Sequence, residues 1–423
     1  MSSDSPAPKA LTASDFPGLK ALIERHVSAR DVAGIVVATA IGDDEPAFIS
    51  AGETGFNTGK PVGADSIHRI FSQTKPVTGI SIMMLIEEGR IGLDQPLGEI
   101  IPELANLHVL ADPNAGIVRE VKVLPTVRHL LTHTAGFSYA LQTDPIGARY
   151  RAQGIEPGYR VQAHRTEGAP VLRDTQDFIE RLSQLPLSCD PGEIWHYSVA
   201  IDVLGAIVER VAKQTLGAFF AERIFGPLGM VDTGFIVPAD KARRLVALPE
   251  RNVDGDWIVA DDPADSVYTK PAMESGGGAL VSTARDYMRF TAMLAGEGET
   301  RGVRLLRPDT VRLARTNLMP PGLSMQFFGN VLAGMGHGAA MQVPHYATTM
   351  PAGVFGWGGA AGTGMWVDPT HKLHIVLMTQ YWPAEINLSL RESPAAAVYA
   401  DLGLWPVGPR TSLLERRSAR VLN

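Results

Sequence analysis

Short apolar runs rich in β-branched residues occur near both ends of the chain, whereas in the middle apolar residues recur at helical spacing. GIVVATAI (34–41) and PAFISAG (46–52) are rich in β-branched residues and flank the turn GDDE, which predicts two strands that pair antiparallel. SIHRIF (66–71) predicts a third, short strand. Near the C-terminus VFGWGG, TGMWVDP and KLHIVLMTQ predict further strands, and DPTHK joins the last two as a hairpin.

The middle of the chain and its two flanks predict helices. In residues 15–28 three apolar side chains follow Asp15, a candidate N-cap, at helical spacing. Further helices are predicted at 76–88, 126–132, 175–185, 199–214, 216–224 and 392–404. The polar stretch 143–170 shows neither helical nor strand-like spacing of apolar residues. It is also longer than the roughly 12–15 residues at which connections between elements are already uncommon. Residues 318–353 are rich in Gly and Met.

Strands at both ends and helices between them predict an α/β fold of the α+β type, in which helices flank an antiparallel sheet. We expect residues 1–71 and 275–423 to form one discontinuous α/β domain, with 72–274 inserted as a mainly helical domain. Ligand sites favour such junctions between domains. Ser72 lies where the first sheet segment passes into helix, so this junction is the expected active site.

Composition and charge exclude several classes of protein. The chain has 423 residues, of which 45% are hydrophobic and 20% charged, and its net charge of -7 argues against a nucleic-acid partner. It contains no apolar run of the roughly 18–20 residues that span a bilayer, so we expect no membrane association. The N-terminus lacks the basic and apolar regions of a secretory signal. The single cysteine, Cys189, fits a reducing compartment, and a cytoplasmic location is expected.

The stretch IFSQTKPVTG places Ser72 three residues before Lys75, at the start of an apolar run. In a helix the two side chains share one face, close to unpaired backbone N–H groups that favour an alkoxide. Burial there favours the neutral amine, which can accept the proton of the serine as a general base. Pro76 suits the first turn and Gly89 suits the C′ position. The same pattern also fits a solvated lysine in an ordinary first turn.

A tyrosine that can relay protons stands in WHYSVAIDVLG (195–205), just before an apolar run that predicts a helix with Ser198 as N-cap. Tyr197 can be held between Ser72 and Lys75, where it would pass a proton to the leaving group and later take one from water. An aromatic side chain that only packs the helix entrance would give the same pattern.

The glycine-rich stretch VFGWGGAAGTGMW (354–366) lets a substrate lie close to the backbone of a strand. The N–H of Ala360 can join that of Ser72 as an oxyanion hole, in which each donor typically lowers the barrier by ~3–4 kcal/mol. A bulged or closely packed edge strand is the alternative interpretation.

Together these segments resemble the serine β-lactamase and penicillin-binding-protein superfamily, and specifically the family VIII carboxylesterases with the class C β-lactamase fold. RHLLTHTAGF (128–137), IFGPLGM (224–230) and SGGGALVSTARDYMRF (275–290) resemble the framework of that superfamily. The resemblance implies that Ser72 is the acylated nucleophile and Lys75 its partner base. Tyr197 matches the tyrosine of the Tyr-x-Asn motif.

Two departures from the β-lactamase pattern indicate a different substrate. Val199 stands where β-lactamases carry the Asn of Tyr-x-Asn, and Trp357-Gly358-Gly359 stands where they carry Lys-Thr-Gly. Losing a charge-assisted hydrogen bond to a carboxylate removes roughly 1.5–3 kcal/mol of anion recognition. The site therefore suits neutral esters, and Trp-Gly-Gly is also the form found in family VIII esterases.

Other motifs do not change this prediction. The chain has no G-x-S-x-G elbow, and GETGFNTGKP (52–61) has the wrong spacing for a P-loop, so a hairpin loop is expected. His129 and His133 are four positions apart but lie among leucines, which favours structural hydrogen bonds over a metal site. His196 adjoins Tyr197. A set of apolar residues fits either an acyl pocket or plain core: Phe327, Phe328, Met335, Met341 and Met350.

The sequence thus predicts a serine carboxylesterase that acts on short- to medium-chain esters through an acyl-enzyme on Ser72. Lys75 and Tyr197 would be catalytic, Ser72 and Ala360 would supply the oxyanion hole, and the substrate would contact Trp357, Gly358, Gly359 and Val199. No metal or organic cofactor is expected, and the sequence leaves the oligomeric state open. The alternatives are a cephalosporin-hydrolysing β-lactamase, an acyltransferase and a catalytically silent penicillin-binding-like protein.

Overall fold

The computed structural model describes residues 10–157, 166–270, 272–327, 330–332, 334–344, 350–382 and 388–404. The α-helices in these ranges are α1 (Pro17–Ser28), α2 (Lys75–Glu87), α3 (Leu97–Ile100), α4 (Val127–Leu131), α5 (Pro145–Ala152), α6 (Thr175–Ser183), α7 (Ala200–Ala212), α8 (Leu216–Phe220), α9 (Gly226–Leu228), α10 (Ala284–Ala295), α11 (Pro308–Ala314) and α12 (Leu388–Asp401).

The strands range from two to eight residues in length. They are β1 (Gly34–Ile41), β2 (Ala47–Gly52), β3 (His68–Arg69), β4 (His108–Asp112), β5 (Ile117–Glu120), β6 (Leu248–Arg251), β7 (Trp257–Asp261), β8 (Val281–Ser282), β9 (Glu299–Thr300), β10 (Val303–Arg304), β11 (Met325–Phe327), β12 (Asn330–Leu332), β13 (Met335–His337), β14 (Gln342–Pro344), β15 (Phe355–Gly358), β16 (Gly364–Asp368) and β17 (Leu373–Thr379).

The main sheet joins the two ends of the chain. Its seven strands lie in the order β13-β14-β15-β16-β17-β1-β2, and every neighbouring pair is antiparallel. β1, the sixth strand in this order, pairs with the fifth, β17, with Val37 opposite Leu377. N- and C-terminal parts of the chain therefore share one sheet, and β15 of that sheet packs against the 3-10 helix Phe71–Thr74, which contains Ser72.

Side chains of β1 point alternately into two hydrophobic cores. Ile35 and Val37 belong to the core that includes α1 and α12, whereas Val36 and Ala38 belong to the larger core beneath α2 and α10. A strand covered on both faces needs a nearly continuous apolar sequence, as GIVVATAI provides. In the same way α2 is buried along most of its length, because it lies in the middle of the larger core.

Several sequence predictions are confirmed. Strands 34–41 and 46–52 pair antiparallel, and β16 and β17 form the C-terminal hairpin. Residues 52–61 form a hairpin-like loop, in which Thr54 N–H donates to the carbonyl of Lys60 at 2.8 Å. Gly89 follows α2 with φ 69°, as the C′ position requires. The fold class, an antiparallel sheet flanked by helices, is also confirmed.

Other predictions need correction. Asp15 does not cap α1, whose N-cap is Phe16, because its carboxylate accepts from Thr12 N–H at 2.7 Å in the preceding turn. The N-cap of α7 is Val199 rather than Ser198. The strand expected over 66–71 is only β3, which pairs with β8 outside the main sheet.

Regular elements also occur in the stretch interpreted as irregular, 143–170, and in the Gly- and Met-rich stretch, 318–353. Residues 143–170 include α5, whose N-cap Asp144 accepts from Gly147 N–H at 2.7 Å and whose first residue is Pro145. Residues 318–353 include the short strands β11 to β14.

The division into 1–71 with 275–423 and an inserted 72–274 stays a prediction. Within the inserted range, β6 and β7 form a hairpin that reaches back to the C-terminal segment, where Glu250 bridges to Trp382. Within the described residues, no helix combines the length and the apolar character that crossing a bilayer requires.

Candidate active site

Ser72 is presented by a short bend between β3 and α2. After β3 the chain forms a 3-10 helix, Phe71–Thr74, and α2 starts directly at Lys75 with Pro76 in its first turn. Phe71 has φ 43°, a left-handed conformation that is unusual for a bulky aromatic residue. Its ring is held against Trp382, with centroids 5.5 Å apart. This bend turns the chain so that Ser72 and Lys75 share one face.

Lys75 is buried, with 1% of its surface exposed, and its ammonium contacts three oxygen atoms. Nζ lies 3.1 Å from Ser72 Oγ, 3.1 Å from Tyr139 OH and 2.6 Å from the carbonyl oxygen of Gly277. All three partners are uncharged. The amine is therefore desolvated and held beside the serine, as the sequence predicts.

Tyr197 completes the predicted group from the loop before α7. Its hydroxyl donates to Ser72 Oγ at 2.7 Å, and its ring lies 4.8 Å from Lys75 Nζ. Ser72 Oγ is thus in hydrogen-bond contact with an amine and a phenol at once. The structure brings the three predicted catalytic residues together.

Tyr139 belongs to the same cluster and was missed by the sequence reasoning. It lies 64 positions from Lys75, and its ring centroid is 5.2 Å from that of Tyr197. The available signal was its position, two residues after the RHLLTHTAGF segment (128–137), in a chain region already assigned to the framework.

Asp202, in the first turn of α7, was also missed. Its Oδ1 accepts from the Gly277 N–H at 3.0 Å and from the Ser275 hydroxyl, and the Gly277 carbonyl in turn accepts from Lys75. Burial raises the pKa of the Asp202 carboxyl, while the charge of Lys75 acts in the opposite direction. The buried Asp202 carboxylate therefore holds the backbone of Gly277, whose carbonyl oxygen accepts a hydrogen bond from Lys75.

The strand β15 and the turn after it lie beside the nucleophile. β15 packs against the 3-10 helix that carries Ser72, and it places Trp357 and Gly358 along the cleft. A Cβ on Gly359 would stand 2.3 Å from the carbonyl oxygen of Ile70, so only glycine permits this approach. Ala360 is the next residue, in the turn that the Gly359 N–H closes by donating to Thr363 O at 2.9 Å.

Val199, which the sequence predicts to contact the substrate, has a buried side chain. Its side chain is 0% exposed and belongs to the larger hydrophobic core, and its N–H donates to Ser138 O at 3.1 Å. Without the amide of a Tyr-x-Asn motif, this position serves to pack the start of α7. The structure gives it no surface on which a substrate can lie.

An apolar wall of tryptophans and methionines borders Tyr197. We call this group the Trp/Met wall; its members are Trp195, Met319, Met325, Leu332, Met335 and Trp357. The Trp357 ring centroid lies 5.9 Å from that of Tyr197. An indole therefore occupies the place where β-lactamases carry a cationic side chain.

The other candidate pocket residues divide between core and wall. Met335 joins the Trp/Met wall, whereas Met341 lies in the larger core and Met350 in the core beneath α1. The side chain of Phe327 and all of Phe328 lie outside the described residues.

The histidines make structural hydrogen bonds. His129 Nδ1 accepts from Thr126 N–H at 3.2 Å in a capping box, and His133 is fully buried behind Tyr197. His196 Nε2 lies 3.2 Å from Asp144 and from the hydroxyl of Ser138. Across the described parts of the chain, no three His, Cys, Asp or Glu side chains gather as a metal site would need.

Comparison with known proteins agrees with this geometry. A family model described as Beta-lactamase matches residues 19–396. Esterase EstB from Burkholderia gladioli is 30% identical over 404 residues, covering 90% of this chain and 94% of EstB.

Two solved structures share the fold. One is EstCE1, described as a hydrolase with promiscuous acyltransferase activity, with a TM-score of 0.75 and 23% identity over 92% of this chain and 99% of EstCE1. The other is the LovD6 mutant of simvastatin synthase from Aspergillus terreus, with a TM-score of 0.75 and 26% identity over 96% of this chain and 100% of that protein. The resemblance to the serine β-lactamase superfamily is confirmed, and the chain belongs to the beta-lactamase family.

Proposed function

We propose that this protein is a serine carboxylesterase of the family VIII type, which hydrolyses short- to medium-chain carboxylic esters. One observation carries the proposal: Ser72 Oγ lies 3.1 Å from Lys75 Nζ and 2.7 Å from Tyr197 OH. A serine hydroxyl needs an adjacent base to become a nucleophile, and here two candidate bases touch it. Esterase EstB, a relative over almost the whole chain, supports the same activity.

The reaction begins with acylation of Ser72. Its Oγ forms a bond to the ester carbonyl carbon while its proton passes to Lys75, which later returns it through Tyr197. The resulting oxyanion is held by the backbone N–H groups of Ser72 and Ala360. When the tetrahedral intermediate breaks down, the bond to the alcohol oxygen is cleaved, and Tyr197 returns a proton to the leaving alcohol.

Water then releases the acyl group. Tyr197 with Lys75 takes a proton from the water as it attacks the acyl-enzyme, and the same N–H groups hold the second oxyanion. Ser72 leaves with a proton from Tyr197, the carboxylic acid departs, and the site returns to its starting state. The close approach of Gly359 to Ile70 supports Ala360 in this role, because it holds the turn beside the nucleophile.

The apolar surroundings favour a neutral substrate. The Trp/Met wall next to Tyr197 offers dispersion contacts to an acyl chain and no charge for a substrate carboxylate. Trp357, Gly358 and Gly359 are the residues on which the ester lies. A cephalosporin carries a carboxylate, so β-lactam hydrolysis is at most a secondary activity.

Acyl transfer is the second candidate, and a specific observation favours it. The same acyl-enzyme forms an ester with an alcohol that replaces water, and EstCE1, which shares the fold, is described as having promiscuous acyltransferase activity. Product analysis with and without an added acceptor alcohol separates the two outcomes. We also propose a cytoplasmic location, which the single, buried Cys189 supports.

The test uses two serines of the same region. Ser72→Ala should lower turnover of a p-nitrophenyl acyl ester by on the order of 10³-fold or more and abolish the mass adduct formed with a fluorophosphonate. Ser81→Ala is the matched control, because Ser81 lies on α2 and its hydroxyl only donates to Val77 O at 3.0 Å. A Ser72→Ala protein that still turns over the ester, or a wild-type protein without an adduct, would refute the proposal.

Substrate class is tested on the same preparation. A panel of neutral esters of increasing acyl length, run beside nitrocefin, should give higher kcat/KM for at least one ester than for the cephalosporin. The reverse order would assign the protein to the β-lactamases instead.

A further inference from the structure

His133 holds the chain on both sides of Tyr197. Its carbonyl oxygen accepts from the His196 N–H at 2.8 Å, and its ring Nδ1 accepts from the Ser198 N–H at 3.3 Å. The two neighbours of Tyr197 are therefore bound to one residue. The His133 ring also lies against the tyrosine, with centroids 4.7 Å apart.

The backbone of His133 is itself fixed. The residue follows α4 with φ 54°, a left-handed conformation in which histidine is enriched relative to most side chains. Its N–H donates to Leu130 O at 3.2 Å, and the next residue, Thr134, donates to His129 O at 2.8 Å. The end of α4 thus provides a rigid support from which His133 reaches the tyrosine loop.

His133 Nδ1 faces Ser198, lying 3.3 Å from both the backbone nitrogen and the hydroxyl oxygen of that residue. As the acceptor of the Ser198 N–H, Nδ1 leaves the proton of the neutral imidazole on Nε2. Burial lowers the pKa of His133 well below its ordinary value, and a positive charge on Lys75 acts in the same direction. The ring is fully buried, so it keeps this neutral, accepting form.

We propose that His133 is the positioning residue of Tyr197: it fixes the tyrosine loop so that the phenol meets Ser72 Oγ, and it affects catalysis only through that phenol. This inference rests on the proposed function, in which Tyr197 moves the protons. A displacement of about 1 Å at a reacting group can cost ~10²-fold in rate, so loss of the support should be visible in kcat.

A double-mutant cycle distinguishes positioning from a general contribution to folding. His133→Leu, Tyr197→Phe and the double variant are compared with the wild type by kcat and KM on a p-nitrophenyl ester. We expect His133→Leu alone to lower kcat by ~10- to 100-fold with KM little changed. In the Tyr197→Phe background the same change should cost less than about twofold, because the group it positions is absent. An equal loss in both backgrounds would overturn the inference.

Two further variants keep the test decisive if His133→Leu folds poorly. His133→Asn tolerates left-handed backbone and offers an oxygen acceptor near the place of Nδ1, so it should recover most of the lost kcat. Asn as damaging as Leu in a protein that melts like the wild type would overturn the acceptor role. His374→Leu removes another buried neutral histidine, on β17, and should lower thermal stability without lowering kcat of the folded fraction.

The variants distinguish a failure of the proposed function from a failure of the inference about His133. If Tyr197→Phe retained full turnover while Ser72→Ala lost it, the role of Tyr197 in the proposed mechanism would fail, and with it the inference about His133. If Tyr197→Phe were impaired and His133→Leu were not, only the inference about His133 would fail.

Discussion

Two basic residues six positions apart are buried: Arg69 at the end of β3 and Lys75 at the start of α2. Their partners differ, because one contacts a carboxylate and the other contacts uncharged oxygen atoms. Arg69 is bound to the carboxylate of Asp261 through Nε at 2.7 Å, and its Nη1 donates to Val246 O at 2.7 Å. Lys75 contacts only uncharged oxygens directly, and among the described residues it has no ion pair. Arg69 therefore belongs to a buried ion pair, whereas Lys75 is held by hydrogen bonds to neutral groups.

This difference in partners separates the structural Arg69 from Lys75 of the candidate active site. Burial raises the pKa of the Asp202 carboxyl and the charge of Lys75 opposes this rise, while hydrogen bonds link the two residues through the N–H and the carbonyl group of Gly277. A direct ion pair would oppose the role of base that the proposed mechanism gives to Lys75. The site keeps the acid one residue away, where it orders the backbone acceptor instead.

The largest expected effect comes from removing the unpaired cation. Lys75→Met replaces the amine by an apolar group of similar length and should lower kcat/KM by ~10³- to 10⁴-fold, since the serine loses a base that touches it. The free energy of unfolding should change by less than about 1 kcal/mol, because no ion pair is broken. Chemical denaturation beside ester hydrolysis checks both expectations.

A matched control for that change is Lys270→Met, at an exposed lysine that pairs with Asp265. It should alter neither quantity measurably. A Lys75→Met protein that is strongly destabilised, or that retains activity, would remove the contrast between the two buried cations.

The paired cation should show the reverse behaviour. Arg69→Met leaves Asp261 buried without its guanidinium, which typically costs ~3–5 kcal/mol of folding free energy. The unfolding midpoint in urea measures the loss, and the turnover of the folded fraction should fall far less than in Lys75→Met. Wild-type stability in Arg69→Met would show that the pair with Asp261 contributes little.

Buried histidines that stay neutral extend the comparison with the two buried basic residues. Burial lowers the pKa of His68, His337 and His374 to about 4 from the ordinary 6.5. Between these two values the unfolded chain binds protons that the folded chain does not, so stability should fall as the pH drops from 6.5 to about 4. Each such histidine contributes roughly 1 kcal/mol per pH unit in this window.

His374→Gln isolates one of these contributions. The amide can still donate to Gly42 O, which His374 Nε2 contacts at 3.1 Å, but it does not titrate. The pH slope of the unfolding free energy between 6.5 and 4 should therefore become less steep by the share of one histidine. An unchanged slope would contradict the assignment of His374 as buried and neutral.

Sequence reasoning predicted those parts of the candidate site that are encoded locally. Ser72 and Lys75 are three positions apart, and the apolar run after them predicts the helix that fixes their face. Tyr197 was found because it stands before another apolar helix. In contrast, the contact between Lys75 and Tyr139 joins residues 64 positions apart and leaves no periodic trace.

The missed elements have physical causes of the same kind. α5 lacks an apolar period because Arg side chains interrupt it, although Asp144 and Pro145 are good start signals for a helix. Val199 was assigned to the substrate by its place in a motif, but burial depends on how α7 packs against α2 and α4, which sequence spacing does not reveal.

The pairing of β1 with β17 has a consequence for biosynthesis. Thr379 on β17 donates its hydroxyl proton to the carbonyl of Gly34 on β1, across 345 positions of sequence. At translation rates of about 5–20 residues per second, roughly 20 to 70 s pass between the synthesis of β1 and that of β17. During this time one edge of β1 is unpaired. Nascent chains consequently expose an unpaired edge of β1, which can pair with other chains, until β17 has been synthesised.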